Sequence, residues 1–419
     1  MSDGGIRAAY YSIGAMKALY DAGWLQEVDV LSSVSGGGYA AYWLLSSEAA
    51  EVEGKPFGYT LLDDENFAGT LCEVGVRASF VRWWSAAGAF ITRRPVILYH
   101  DVIGRSFGRA DSDGALTMAD LASMTRSKEI PYWIVNTTRY GEPQSRENIF
   151  EITPFHMGTR DAGGRWSDWS ITARQATSIS GAATGSLRQT ITDPLSNGDK
   201  ALSLWDGGRT ENLGFYSAAL RMPGELVVVD AEHDPNREVR ALTTAKGYLQ
   251  EAGFDTALQA PTLDPAPGSF FEQSFSTGTI AKGGQKIPVR YLKMSLPSSL
   301  APYLTNEDLL AKGKLVQATV QDRLEATKVG RDWQYSSLGD MDLDMDAWMV
   351  WTAGGYADFM RNGSWTRHYQ RLLPTDLKGD FPQYTTIDTS YYNDQARAFV
   401  ALGYLNGLEM TGRLQKLLE

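Results

Sequence analysis

Three short stretches of this chain carry residue types that can transfer an acyl group. Ser35 stands in Ser33-Val34-Ser35-Gly36-Gly37, a small-x-Ser-x-Gly pattern that holds a serine on a sharp strand-to-helix turn with its hydroxyl exposed. The flanking residues must be small because the two backbones nearly touch there. A helix starting behind that serine also favours negative charge developing at the reacting centre. The second stretch, Ser2-Asp3-Gly4-Gly5-Ile6-Arg7, opens a helix with two glycines whose N–H groups are free to point at an anion. An acyl-transfer enzyme needs such donors for the oxyanion of its tetrahedral intermediate, each worth about 2.7–4 kcal/mol. A phosphate cradle would want a Lys-Ser/Thr pair at the far end of the loop, and none is present there. The third stretch, Asp206-Gly207-Gly208, follows an apolar run and stands 171 positions after Ser35. A carboxylate at a strand end can take a proton from a neighbouring serine. Each stretch alone has an ordinary reading as a glycine-rich turn. Together they offer a nucleophile in Ser35, a base in Asp206 and oxyanion donors in Gly4, Gly5 and Gly36.

These residues need elements to hold them. Apolar residues at helical spacing predict a helix from Ile6 to Ala22, closed by Gly23. A short β-rich run through Val28, Val30 and Leu31 leads into the serine turn, and Tyr39 to Leu45 resumes a helical pattern. Tyr132 to Thr138, Ile149 to Thr153 and Ala201 to Trp205 read as strands, and Ile171 to Ser180 as a helix. Glu225 to Asp230 is the near-continuous apolar run of a buried parallel strand. Strands alternating with helices predict an α/β layered fold with a mostly parallel central sheet flanked by helices. The stretch 254–300 is rich in Pro, Gly, Ser and Thr and reads as a loop excursion closing on a strand from Ile287 to Leu296. Helices are expected at Asn306 to Thr327, Ala347 to Met360 and Asp394 to Leu418. This divides the chain into a catalytic core over 1–250, with a cap or membrane-facing insertion over 46–130, and a helical extension over 251–419 packed on the core rather than folding independently. No strand stands before the glycine loop, so either an N-terminal piece is missing or another segment takes that strand's place.

The combination resembles the patatin-like and cytosolic phospholipase A2-like acyl hydrolases, in a bacterial-type form. That group joins a Gly-Gly-x-Arg loop, a Gly-x-Ser-x-Gly elbow and a distant Asp-Gly-Gly; their counterparts here are Gly4-Gly5-Ile6-Arg7, Ser33 to Gly37 and Asp206 to Gly208. The wider context is similar in Leu31 to Gly37, in Phe150-Glu151-Ile152-Thr153-Pro154 and in Asp206 to Gly214. It is also similar in Phe381 to Thr386 with Ala398 to Gly403. The resemblance implies a three-layer patatin-like fold, a Ser-Asp dyad, an acyl-enzyme on Ser35, a phospholipid or other lipid ester as substrate, and neither cofactor nor metal. Two positions depart from the pattern. Ser33 replaces the first glycine of the elbow and is small enough to serve. Asp3 replaces the first of three glycines, which removes a flexible donor and sets a carboxylate close to where an oxyanion should form.

The bulk numbers fit a folded enzyme: 419 residues, 43% hydrophobic and 21% charged. A net charge of −11 without a dense Lys/Arg block gives no footprint for nucleic acid. The single cysteine, Cys72, has no partner for an internal disulfide and reads as a core residue. No signal peptide and no transmembrane run is visible, so a cytoplasmic protein, peripheral at a membrane, is expected. Trp83 and Trp84, among Arg77, Arg82, Arg93 and Arg94, have the composition of an interfacial element that would bind lipid; core packing is the plain alternative. Arg7 either meets a phosphate head group or forms an ion pair within the fold. A Ser-Asp-His triad using His233 or His368 is the nearest rival, and His233 with Asp230, Glu232 and Asp234 also reads as a polar rim or a loose metal site. A different class of function, a catalytically impaired lipid-binding or interaction protein, would treat Asp3 as a mark of decay.

Overall fold

The computed structural model describes residues 1–48, 55–73, 95–108, 115–140, 145–159, 163–165, 171–182, 189–192, 201–264, 271–330, 332–361, 381–383 and 393–419. Helix α1 (Gly5–Asp21) follows the glycine loop and is buried along most of its length. Strand β1 (Val30–Val34) then runs into helix α2 (Gly36–Glu48) with Ser35 between them. The pattern of buried Leu31 and Val34 beside buried Ser32 and Ser33 marks a strand covered on both faces.

β1 belongs to a seven-stranded sheet with β2 (Tyr132–Arg139), β3 (Ile149–Ile152), β4 (His156–Gly158), β5 (Gly163–Arg165), β6 (Gln189–Thr192) and β7 (Ala201–Asp206). The expected mostly parallel sheet is not what forms. Only β1–β2 pairs in parallel, and the β2–β3, β3–β4, β4–β5, β2–β7 and β6–β7 pairs are all antiparallel. The reason lies in the connections. From β2 to β5, and from β6 to β7, the chain returns through links shorter than the dozen or so residues a parallel crossover needs. The longest excursion, between β1 and β2, produces the one parallel pair of this sheet.

The register on β2 decides where the ends of β1 and β7 fall. Asn136 pairs with Val34 on one edge and with Glu151 on the other, and Thr137 pairs with Asp206 and with Phe150. Since β3 occupies one edge, β1 and β7 share the other, end to end. β1 runs up the edge and stops at Asn136, and β7 runs down it and stops at Thr137.

A second sheet of four strands has the order β8 (Leu226–Asp230), β11 (Gln285–Lys293), β10 (Phe275–Lys282) and β9 (Asp255–Ala257). β8 pairs with β11 in parallel, as its apolar run predicts. Two of its strands, β9 and β10, lie in the stretch expected to be a loop. β10 and β11 form a hairpin with Lys282 opposite Gln285, turned by Gly283 and Gly284 at φ 58° and 85°. A Gly-Gly pair between strands supplies the positive φ that a two-residue hairpin turn requires, and this was the legible signal inside the polar stretch.

Met1 and Ser2 lie between the two sheets. The Met1 amino group donates to Ser32 O at 2.9 Å and Met1 O accepts from Val34 N at 3.1 Å, while Ser2 N donates to Val229 O of β8 at 3.1 Å. β1 and β8 are therefore one strand apart at this level. A cavity of about 600 Å³ lies between the earlier halves of the same strands, lined by Val30, Leu31, Val227 and Val228 among others. The C-terminal helix Asn393–Met410 lies against α1. Its buried Asn406 donates to Tyr11 Oη at 3.1 Å and to Ser295 O at 3.0 Å, joining that helix to α1 and to the residues after β11.

Candidate active site

Ser35 occupies a left-handed backbone conformation, φ 46°, which a non-glycine residue adopts only at a cost of order 1–3 kcal/mol. The surrounding polar groups over-determine it. Its N–H donates to Ser180 Oγ at 2.8 Å, and the same hydroxyl donates to Asn136 O at 2.7 Å. Its carbonyl accepts from the N–H groups of Gly38 at 2.8 Å and Tyr39 at 3.2 Å, which makes it the residue on which α2 begins. Ser33, the departure from glycine in the elbow, has its own use. Its hydroxyl accepts from Trp133 Nε1 at 2.9 Å, while Asn136 Nδ2 donates to Ser33 O at 3.0 Å and to Ser32 Oγ at 2.9 Å. Gly36 must lack a side chain, because a Cβ there would collide with the carbonyl oxygen of Gly5. The serine elbow and the glycine loop are thus packed backbone against backbone.

Asp206 reaches this elbow because β7 ends on Thr137, one residue beyond the point where β1 ends. The Ser35 hydroxyl donates to Asp206 Oδ2 at 3.2 Å, and Gly208 N donates to Oδ1 at 2.8 Å. Both residues are buried, with 2% and 3% of their surface exposed. Burial first, and then the negative charge of Asp3, push the Asp206 carboxyl well above the usual carboxylate range. The Gly208 N–H, the Ser35 hydroxyl and the charge of Arg209 act in the opposite direction. A carboxyl held in this way is a stronger base, once ionised, than one in water.

The glycine loop approaches from the other side. Gly4 and Gly5 both have positive φ, and Gly5 and Gly36 head α1 and α2, so their N–H groups have no partner inside their own helices. The Gly4 N–H donates to Asp3 Oδ1 at 2.5 Å. Arg7 is fully buried and donates to Ala231 O at 3.1 Å. As the fourth residue of the loop motif it turns inward with α1, a position the sequence alone left open. Trp83 and Trp84, and also His368, lie outside the described residues.

His233 is half-buried, its pKa lowered by burial first and then by the charge of Arg7. Among the described residues no hydrogen bond joins it to Ser35 or Asp206. The neighbouring carboxylates share one cation: buried Lys293 lies 3.0, 3.7 and 3.5 Å from oxygens of Asp230, Glu232 and Asp234. Among the described residues no cluster of His, Cys, Asp and Glu is arranged to hold a metal. Cys72 is buried, and burial raises its thiol pKa. Ser180 is the residue that sequence reasoning missed. It closes an ordinary amphipathic helix, Ala173–Ser180, and its partner Ser35 lies 145 positions away.

The site is a buried serine on a strained strand-to-helix turn, hydrogen-bonded to a buried carboxylate and backed by two helix-heading glycines, within a mixed fold built on a curled antiparallel sheet. A known structure shares that fold. Human GIVD cytosolic phospholipase A2 superposes with a TM-score of 0.53 at 12% sequence identity, over 100% of this chain and 61% of the human one. The same human protein in complex with methyl gamma-linolenyl fluorophosphonate gives a TM-score of 0.49 at 14% identity, over 99% and 57% of the two chains. This chain therefore spans about three fifths of the length of the human protein it matches. No family model and no curated protein matches it by sequence.

Proposed function

We propose that this chain is a lipid acyl hydrolase of the phospholipase A or lysophospholipase type, a bacterial-type member of the patatin-like group, acting through an acyl-enzyme on Ser35. The reading rests on one observation: the Ser35 hydroxyl, on a strained turn, donates to a buried Asp206 carboxylate at 3.2 Å. Likeness of fold to a human cytosolic phospholipase A2 supports it. In the first step Asp206 takes the serine proton as Oγ attacks the ester carbonyl. The N–H groups of Gly5 and Gly36, with that of Gly4 where it is free, stabilise the oxyanion, and the alcohol leaves with the proton. Water then enters, gives its proton to Asp206 and attacks the acyl carbon, and Ser35 leaves as the hydroxyl. A carboxylate suffices as base because the two groups are in direct contact in a site that excludes competing water.

The experiment is labelling with a fluorophosphonate probe followed by a lipid panel read by mass spectrometry. Wild type should label on Ser35 and release fatty acid from at least one glycerophospholipid or lysophospholipid, and Ser35→Ala should do neither. A folded chain whose Ser35 labels neither in the wild type nor once the Asp3 carboxylate is removed overturns the reading. The proposal includes a cytoplasmic protein in peripheral contact with membrane. No helix among the described residues is long and apolar enough to cross one. The contact is assigned to Trp83 and Trp84 on composition alone, and equal liposome co-sedimentation of wild type and the Trp83→Ala/Trp84→Ala variant removes it. One feature favours the second reading, an impaired lipid-binding protein: the Asp3 carboxylate on the Gly4 N–H.

A further inference from the structure

We propose that Asp3 is a built-in competitor for the oxyanion pocket, its carboxylate holding the Gly4 N–H and having to swing off that donor before an ester carbonyl can be activated. The inference rests on the hydrolase reading above and names how that site is restrained.

Three observations carry it. First, Asp3 Oδ1 accepts from Gly4 N at 2.5 Å, so a donor at the mouth of the loop is filled by an anion of the chain itself. A carboxylate oxygen resembles the oxyanion of a tetrahedral intermediate in charge and in the donors it wants, and it competes for them on equal terms. Second, the other oxygen lies over the turn that carries the base. A Cβ added to Gly208 would collide with Asp3 Oδ2, and the Gly208 N–H is the group that donates to Asp206. The carboxylate therefore bridges the donor loop and the Asp206 turn, across the space between them. Third, the Asp3 backbone is pinned on both sides, so release of the donor falls to the side chain. Its N–H donates to Asn212 O at 2.7 Å and its carbonyl accepts from Ser2 Oγ at 2.9 Å. Vacating the donor is then a rotation of the side chain about χ1 between staggered positions.

The charge has a second effect in the same direction. The charged groups acting on Asp206 are Asp3 from the glycine loop and Arg209 from the turn after β7, beside the Ser35 hydroxyl and the Gly208 N–H. Asp3 is the like charge among them, and it keeps the base protonated to higher pH. Loss of the Asp3 charge should therefore move the rise of activity with pH to lower pH, apart from any effect on the oxyanion donor.

The test uses the full chain with Asp3→Gly, Asp3→Ala and Asp3→Asn, a p-nitrophenyl ester assayed from pH 5 to 9, and fluorophosphonate labelling of Ser35. Losing one oxyanion donor costs about 10²–10³ in kcat, so freeing one should raise kcat at least about tenfold in Asp3→Gly and Asp3→Ala, with KM little changed. Asp3→Asn keeps an acceptor on Gly4 N–H without the charge. It should shift the pH profile as the other two do but recover less of the kcat. A wild type that labels, with Asp3→Gly and Asp3→Ala both folded by circular dichroism and labelling no faster, overturns the competitor while leaving the hydrolase reading intact. A silent wild type with a reactive Asp3→Gly supports the competitor in its strongest form. No labelling by any of the folded chains overturns both.

Discussion

The two halves of the site are built in opposite ways. Around Ser35 the side chains of Ser32, Ser33, Asn136, Trp133 and Ser180 hold the elbow through buried hydrogen bonds of 2.7–3.0 Å to one another and to the backbone. Around the glycine loop the backbone is held equally well, but the side chain that faces the site is a carboxylate seated on the loop's own donor. The elbow is a rigid positioning device, and the loop carries a charge that works against the proposed chemistry. The contrast shows that strain in the backbone and restraint on reactivity need not come from the same residues. The elbow contributes the first and Asp3 the second.

The comparison can be broken most directly at its rigid half. Ser35→Ala should lower esterase activity by about 10⁴-fold or more, and Asp206→Asn by a similar order, since members of a nucleophile–base unit fail together. Fluorophosphonate labelling and release of p-nitrophenol measure both. An Asp206→Asn variant within tenfold of wild type would mean that Asp206 is not the base.

A smaller loss is expected at Ser180. Ser180→Ala removes the acceptor for the Ser35 N–H and leaves Asn136 O with one partner fewer in a buried setting, at a cost of about 1–3 kcal/mol of stability. The melting temperature should fall, and kcat should fall about tenfold with KM held, because the elbow relaxes while the substrate pocket stays. Ser180→Thr, which keeps the hydroxyl, should recover part of both.

The pH dependence sharpens the same contrast. Asp206 acts as a base only when ionised, so activity should rise with pH through its elevated pKa and vanish as pH falls through it, above the usual carboxylate range. Folding favours the protonated form, so the native state binds more protons than the unfolded chain between the unfolded pKa and the raised native one, and stability declines across that window as pH rises. Asp206→Asn, which carries no charge to bury, should therefore melt higher than wild type at neutral pH although it is inactive. Thermal melts at pH 5 and 8 measure this, and a lower melting temperature for the variant at pH 8 would contradict it.

The smallest effect is expected at His233. With no hydrogen bond to Ser35 or Asp206, its replacement by Ala should leave kcat/KM within about threefold. A collapse comparable to that of Ser35→Ala would restore the triad.

Much of this arrangement was legible along the chain, and the failures share a cause. The helix after the glycine loop, the strand-turn-helix around Ser35, the strand ending in Asp206 and the apolar β8 were readable because each depends on residues a few positions apart. The parallel sheet was a wrong expectation because direction depends on how the chain returns between strands, and short links between β2 and β5 leave room only for reversal. β10 was hidden in a stretch rich in Pro, Gly, Ser and Thr, although Gly283-Gly284 marks its turn into the expected strand β11. Arg7 was ambiguous because a motif position does not say which way a side chain turns.

By itself the sequence determined the local parts: a serine that must sit in a left-handed turn between small neighbours, glycines free to head two helices, and a carboxylate at a strand end. Only the tertiary structure decided that these parts meet. β1 and β7, separated by most of the core, share one edge of β2 and stop on adjacent residues, Asn136 and Thr137. That register is set by long-range pairing and packing across a separation of 171 positions between Ser35 and Asp206, and no spacing within the chain encodes it.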